Sequence, residues 1–240
     1  MKFYACSQTG IGKLKNEDRM IIGQSVIAGG SFETDIETGI VAIADGVGGN
    51  NAGAVASHFV ASRLSYGSDV TKEMLAQIND ELIIQSKETP QLNNMATTLS
   101  GIQIHDGKNT LFHIGNSRVC ALQGGKYLKQ LTEDDTTLNY LIARGQLSPE
   151  DADDFDRKNE IIACFGGGNS NLFIMKLSVL EILSPILLTS DGIHDYLSVD
   201  EIEDIIDDNG ISIIACKKMI EVARQNGSTD DASVIIGGVN

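Results

Sequence analysis

The stretch TGIVAIADGVGGNNAG, residues 38–53, changes character abruptly. Ile40 to Ala44 form a short unbroken apolar run, which reads as a buried strand. The run ends in one carboxylate, Asp45. Gly46, Gly48, Gly49 and Gly53 follow, with two asparagines between them. Directly after comes AGAVASHFVASRLSY, residues 52–66, with apolar residues at helical spacing. Strand, carboxylate, glycine-rich turn and helix fit three readings: a phosphate cradle, a metal site, or a turn alone, since glycine permits both sharp turns and close approach to a ligand.

Working outward, KFYACSQ and MIIGQSVIAGG read as strands before this stretch, and VTKEMLAQINDELIIQSKE as a second helix after it. ATTLSGIQIH, NTLFHIGNSRVCAL and KYLKQLT then follow as consecutive strand candidates, with GGKY as a hairpin turn. Residues 132–160 are polar and form a helical or irregular insert, with Ser148 capping and Pro149 opening a short helix. LFIMKLSVL and SPILLTSDG resume the strands, and the helix SIIACKKMIEVARQN and the strand DASVIIGGV come last. Strands joined by short turns pair antiparallel. Helices covering such sheets give an α+β layered sandwich rather than a doubly wound parallel fold.

The chain has 240 residues, with no repeat, no low-complexity tract and three prolines. We expect one domain spanning 1–240, with a flap-like insert at about 132–160. Eighteen Lys and Arg against 33 Asp and Glu leave a net charge of −15, which argues against a nucleic-acid partner and favours cations or basic partners. No apolar run reaches the ~18–20 residues that span a bilayer. The opening MKFYACSQTGIGKLKNED lacks a signal-peptide core, so a cytoplasmic location without membrane attachment is expected. Cys6, Cys120, Cys164 and Cys216 are scattered with no C-x-x-C pair, so neither a zinc knuckle nor a disulfide framework is indicated.

The pattern at Asp45 recurs. ILLTSDG sets Asp191 at a second strand end, NGSTDDASVII sets Asp230 and Asp231 before the last strand, and KLKNEDRMII sets Glu17 and Asp18 before an early one. Carboxylates brought together unpaired repel, and a divalent cation removes the repulsion. Oxygen-only ligation selects hard ions such as Mg, Mn or Ca. Two such ions ~3.5–4 Å apart can acidify a shared water and clamp a phosphoryl oxygen. Asp-Gly after a strand is also a common turn, and spacing alone does not separate four turns from one site.

The ordered set NED (16–18), ADGVGG (44–49), MATTL (95–99), HIGNSRVCAL (113–122), LTEDDT (131–136), LLTSDGIHDYLS (187–198) and GSTDDASVII (227–236) resembles the metal-dependent Ser/Thr protein phosphatases of the PPM, or PP2C, type in their compact bacterial form. The resemblance runs almost end to end. It implies a four-layer αββα sandwich, two antiparallel sheets flanked by helices, with two Mg or Mn ions at one edge. It implies that Asp45 bridges the ions, that the Gly46 carbonyl binds one, and that Asp191 and Asp230 hold the other. Glu17 and Asp18 act through metal-bound waters. The implied activity is hydrolysis of phosphoserine and phosphothreonine by the bridging water, in signalling opposite a Ser/Thr kinase. The alternative is a metal-bound phosphoprotein-binding regulatory module. No Cys is followed six residues later by Arg, so the cysteine-phosphatase signature is missing.

Four positions depart from the family pattern. Lys13 stands where an Arg grips the substrate phosphate, keeping the charge but not the bidentate fork. Asn116 replaces the carboxylate for a third metal, so a third ion is expected to bind weakly or not at all. Val47 stands where eukaryotic members carry a general-acid His, and Asp231 replaces an Asn beside Asp230, adding a charge near the metals. His194 is close enough to Asp191 for a supporting role. The acidic run Glu150–Asp156 is a solvated flap that would favour basic phosphopeptides. GIG at 10–12 and GGG at 166–168 lack nucleotide-loop spacing and read as loop glycines.

Overall fold

The computed structural model describes residues 1–47, 52–67, 69–105, 108–180 and 184–238. In chain order the first five strands are β1 (Lys2–Gln8), β2 (Arg19–Gly23), β3 (Ser25–Ile27), β4 (Gly30–Asp35) and β5 (Gly39–Ala44). The short β6 (Gly46–Val47) and two helices follow, α1 (Ala52–Ser65) and α2 (Lys72–Glu88). Next come β7 (Ala96–Thr97), β8 (Leu99–Ile104), β9 (Asn109–Ile114), β10 (Arg118–Gln123) and β11 (Tyr127–Gln130). The insert holds α3 (Thr137–Ala143), and β12 (Phe165–Gly166), β13 (Lys176–Leu180) and β14 (Ile186–Thr189) come after it. The last elements are α4 (Asp191–His194), α5 (Val199–Asn209), α6 (Ile213–Gln225) and β15 (Ala232–Gly238).

Two six-stranded sheets face each other, ordered β11-β10-β14-β15-β1-β4 and β13-β9-β8-β5-β2-β3, with a small β12-β7-β6 sheet beside them. Every assigned strand pair is antiparallel, as the short connections require. The period-2 alternation of side chains divides the core into three layers. In β5, Val41 and Ile43 point between the sheets, where they meet Phe3 and Ile235 from the opposite sheet. Ile40, Ala42 and Ala44 point the other way, against α1 and α2 through Val60, Leu64 and Leu75. On the outer face of the sheet that holds β15, Val234 and Ile236 pack with Ile202 of α5 and Met219 of α6. This is the four-layer αββα sandwich.

Several elements differ from the sequence expectation. MIIGQSVIAGG is a hairpin, with β2 and β3 paired Met20 to Ile27. β4 was not expected, because as an edge strand it is largely exposed and has no buried apolar run. α5 was also not expected, since VDEIEDIIDDN is dominated by acids. Yet Ile202, Ile205 and Ile206 bury one stripe, and Ser198 and Glu201 close a reciprocal capping box. LFIMKLSVL is a strand only from Lys176, and Pro149–Asp151 is a single 3-10 turn with Ser148 as its cap.

Ile43 is fully buried between the sheets, two residues before Asp45. Ile43→Ala is expected to destabilise by about 2–5 kcal/mol in urea unfolding. Tyr66→Ala, at a side chain 85% exposed, should stay within about 0.5 kcal/mol of the parent.

Candidate active site

The antiparallel register brings the strand-end carboxylates to one edge of both sheets. Arg19 pairs with Ala44, so Asp18 and Asp45 lie at adjoining ends of β2 and β5. In the other sheet Thr189 pairs with Val234 and with Arg118. That register sets Asp191, the pair Asp230–Asp231 and Asn116 at the corresponding edge. The two sheets are stitched together here: the Ser233 hydroxyl of β15 donates to Asp18 Oδ2 at 2.6 Å.

Asp18 is almost fully buried, and Asp45 and Asp191 are partly buried. Burial heads the causes that raise Asp45 well above the ordinary carboxylate range, and Asp191, Asp18 and Asp230 add like-charge repulsion. Burial likewise pushes Asp18 up to about 7, reinforced by Asp231 and Asp191 and opposed by the Ser233 hydroxyl. Asp191 is raised by burial and by Asp230. Asp45 and Asp191 are electrostatic neighbours, each raised by burial first. Among the described residues none of these three carboxylates has a salt-bridge cation. Asp18 Oδ1 and Asn116 Oδ1 are buried without a hydrogen-bond partner.

Lys13, expected at the substrate phosphate, points instead to the carboxylates. Its ammonium donates to Asp230 and, at 3.0 Å, to Asp231 Oδ2, with Glu17 at 3.9 Å. Burial lowers its pKa, but the two aspartates outweigh this and raise it. Asp231, expected to add a loose charge near the metals, is 2% exposed and fully engaged. Gly10 N–H donates to Oδ1 at 2.7 Å, and Glu17 N–H to Oδ2 at 2.8 Å. It therefore anchors the loop that carries Lys13 and Glu17. Asn116 turns its amide to Asp191 and donates to Oδ2 at 3.1 Å.

Gly46 and Gly53 are close-approach positions. A Cβ on Gly46 would strike the Gly53 and Glu17 carbonyls, and one on Gly53 would reach 2.6 Å from the Gly46 carbonyl and 2.8 Å from Glu17 Oε1. Gly53 therefore lets the start of α1 pack on the Asp45 turn, and it is not clearance for a ligand. Gly48 and Gly49 lie outside the described residues.

Several supporting residues carried no role in the sequence reading. Thr98 accepts the Asp45 N–H at 3.0 Å, while Thr97 Oγ1 and Thr98 N–H donate to the Asp45 carbonyl, both at 2.8 Å. Asn16 accepts the Asp18 N–H at 2.9 Å and donates to Ser7 at 2.7 Å. The signal for Ser233 was a hydroxyl inside the apolar run ASVII. His194 is neutral, held well below its ordinary pKa by burial and by Arg118. Its Nδ1 meets the Thr189 hydroxyl at 2.8 Å, and its Nε2 is unpartnered.

A cavity of about 780 Å³ opens beside Asn116, between the insert and the strand edge, lined by Arg118, Leu138, Ile142, Lys158 and His194. Arg118 pairs bidentately with Asp134 at the base of the insert, and Asn159 donates to Asp195 at 2.6 Å on its far side. Among the described residues, no three His, Cys, Asp or Glu side chains already close on a common point as a ligand cage. Asn116 holds one oxygen of Asp191 and Lys13 one of Asp230.

No family model matches the chain. The chain is 29% identical over 248 residues to the serine/threonine protein phosphatase PstP of Mycobacterium tuberculosis, covering all of this chain and 45% of that protein. It thus spans about half the length of this curated relative. It is also 29% identical over 224 residues to the serine/threonine phosphatase Stp of Listeria monocytogenes, covering 87% of each. The solved structure of M. tuberculosis PstP superposes over the whole of both chains with a TM-score of 0.82 at 27% identity. In sequence and in fold the chain is similar to bacterial serine/threonine protein phosphatases. A structure of the PstP catalytic domain with two manganese ions matches 98% of each chain, with a TM-score of 0.77 at 27% identity.

The raised Asp18 has a stability consequence in chelator-treated protein. Its folded pKa, about 7, lies above the ordinary value of 3.8. Its contribution to stability is therefore fully present below about pH 4 and is lost as the pH climbs through 7. Asp18→Asn should raise the urea midpoint at pH 8, by on the order of 1 kcal/mol or more, and converge with the parent near pH 4. Equal midpoints at both pH values would show that Asp18 is not held up.

Proposed function

We propose that the chain is a metal-dependent protein phosphatase acting on phosphoserine and phosphothreonine. The observation that carries this reading is the convergence of Asp18, Asp45 and Asp191 at one sheet edge without a cation of the chain seated on any of them. Buried carboxylates left in mutual repulsion, beside buried oxygens with no donor, suit a hard divalent ion. The manganese-containing PstP structure supports the same choice.

Asp45, the Gly46 carbonyl, Asp191 and Asp230 would hold two Mg or Mn ions, with Glu17 and Asp18 acting through water. Bound there, the ions would supply charge neutralisation at the phosphoryl group and an acidified water for in-line attack. Asn116 in place of a carboxylate leaves a third ion weakly held.

The chain's own residues set the geometry. Thr97 and Thr98 fix the Asp45 peptide from both sides, so its carboxylate has a rigid mount. Ser233 holds one oxygen of Asp18, and the other is buried without a hydrogen-bond partner. Asn116 orients Asp191. Val47, 38% exposed, offers no proton of its own, so the leaving alkoxide takes its proton from water or from another group. The cavity beside Asn116 accepts residues flanking the phosphorylated one, and Glu133, Asp134, Asp153 and Asp195 along its wall favour basic neighbours. The substrates are then phosphoproteins made by a Ser/Thr kinase, in what we place as a cytoplasmic signalling pair. Among the described residues no helix is long and apolar enough to cross a membrane.

The complete carboxylate set favours hydrolysis over a binding-only module. Phosphate release from a phosphothreonine peptide should require Mn or Mg and vanish with a chelator. Asp45→Asn and Asp191→Asn should each lower turnover more than about 100-fold with the circular dichroism spectrum unchanged. Full turnover in chelator, or in either variant, would overturn the assignment.

A further inference from the structure

We propose that Lys13 is an internal counter-ion that occupies Asp230 and competes with a divalent ion for it. This deepens the phosphatase reading and rests on its metal site. Three observations carry it. The Lys13 ammonium spans Asp230 and Asp231, and no other salt bridge to either carboxylate is found among the described residues. Asp231 is buried, so its charge requires a fixed partner, which the Gly10 and Glu17 amides supply only in part. The nearby arginines are spent elsewhere: Arg224 donates to the Asp230, Gln8 and Thr9 carbonyls, and Arg19 to the Asn16 and Asp18 carbonyls.

The two ends of the carboxylate row therefore differ. At Asp45 and Asp191, among the described residues, no ammonium or guanidinium is paired with the carboxylates, and the Asn116 amide donates to Asp191. At Asp230 an arriving ion has to displace an ammonium. Lysine suits such an exchange, because its compact charge on a flexible stem can swing away while Asp231 still holds the loop through backbone amides. Loading is then stepwise, with the ion at Asp230 last and weakest. The presence of an Asp at 231 and a Lys at 13 is one coupled feature: the additional acid retains the base.

The test is isothermal titration calorimetry of the chelator-treated full chain with Mn²⁺ alone, with phosphate inhibition measured in parallel. Two resolved steps are expected for the parent. Lys13→Met should tighten the weaker step about tenfold and leave the stronger one within about twofold. Lys13→Arg, which keeps the charge, should titrate like the parent. Lys13→Gln is a second uncharged variant if the Met variant does not fold. Steps unchanged in the uncharged variant, or both tightened equally, overturn the proposal. So does a loss of phosphate inhibition with both Mn²⁺ steps intact, which would make Lys13 a phosphate contact. Failure of the parent to bind any Mn²⁺ would overturn the phosphatase reading itself.

Discussion

Repulsion among Asp18, Asp45 and Asp191 is the constraint on which the rest of this structure turns. Three like charges at a poorly solvated edge would push two sheets apart. The protein withstands them because each is mounted on a different strand of a ladder whose register is fixed by buried residues. Val41 and Ile43 of β5, Met20 and Ile22 of β2, and Ile186 and Leu188 of β14 all enter the layer between the sheets. A one-residue slip in any of these strands would turn that set outward and take its aspartate away from the site. The apolar layer thus fixes the chemistry, and the chemistry in turn uses stability that the layer supplies.

Much of this was legible in the sequence, for physical reasons. An apolar run of strand length that stops at an Asp marks both the element and its end, so Asp45 and Asp191 could be placed at strand termini directly. An α+β layered sandwich followed from consecutive short connections and the helical stretches, and the αββα order came from the resemblance of the ordered motifs to PPM phosphatases. What escaped notice had weaker signals. β4 lies at an edge and buries little, so it lacks a hydrophobic run. α5 hides its three-residue apolar stripe beneath six acids, although the Ser198–Glu201 capping box was present to be read. The hydroxyls that hold the site, Thr97, Thr98 and Ser233, act through contacts between residues distant in sequence, which no local pattern encodes.

The departures from the family pattern form a connected set rather than scattered losses. Asn116 replaces a charge with an amide and spends that amide on Asp191. Asp231 adds a charge, and Lys13 is the base that meets it. One substitution lowers the negative charge near Asp191 and the other raises it near Asp230, where the added charge is met from within the chain. The net effect shifts electrostatic demand along the row of carboxylates while the mounting strands stay as they are.

The pairing of β1 with β15 has a consequence for how the protein is made. Gly10 bonds to Asp231 across 221 residues of sequence, and Ser233 to Asp18 across 215. β15 also lies between β1 and β14 as an inner strand of its sheet. Until that strand pairs, β1 has one edge of its ladder open and Asp18 lacks the Ser233 hydroxyl. Long-range closure of this kind is slow. The carboxylate edge is therefore assembled only once β15 pairs between β1 and β14, because that pairing brings Ser233 to Asp18 and Asp231 to Gly10.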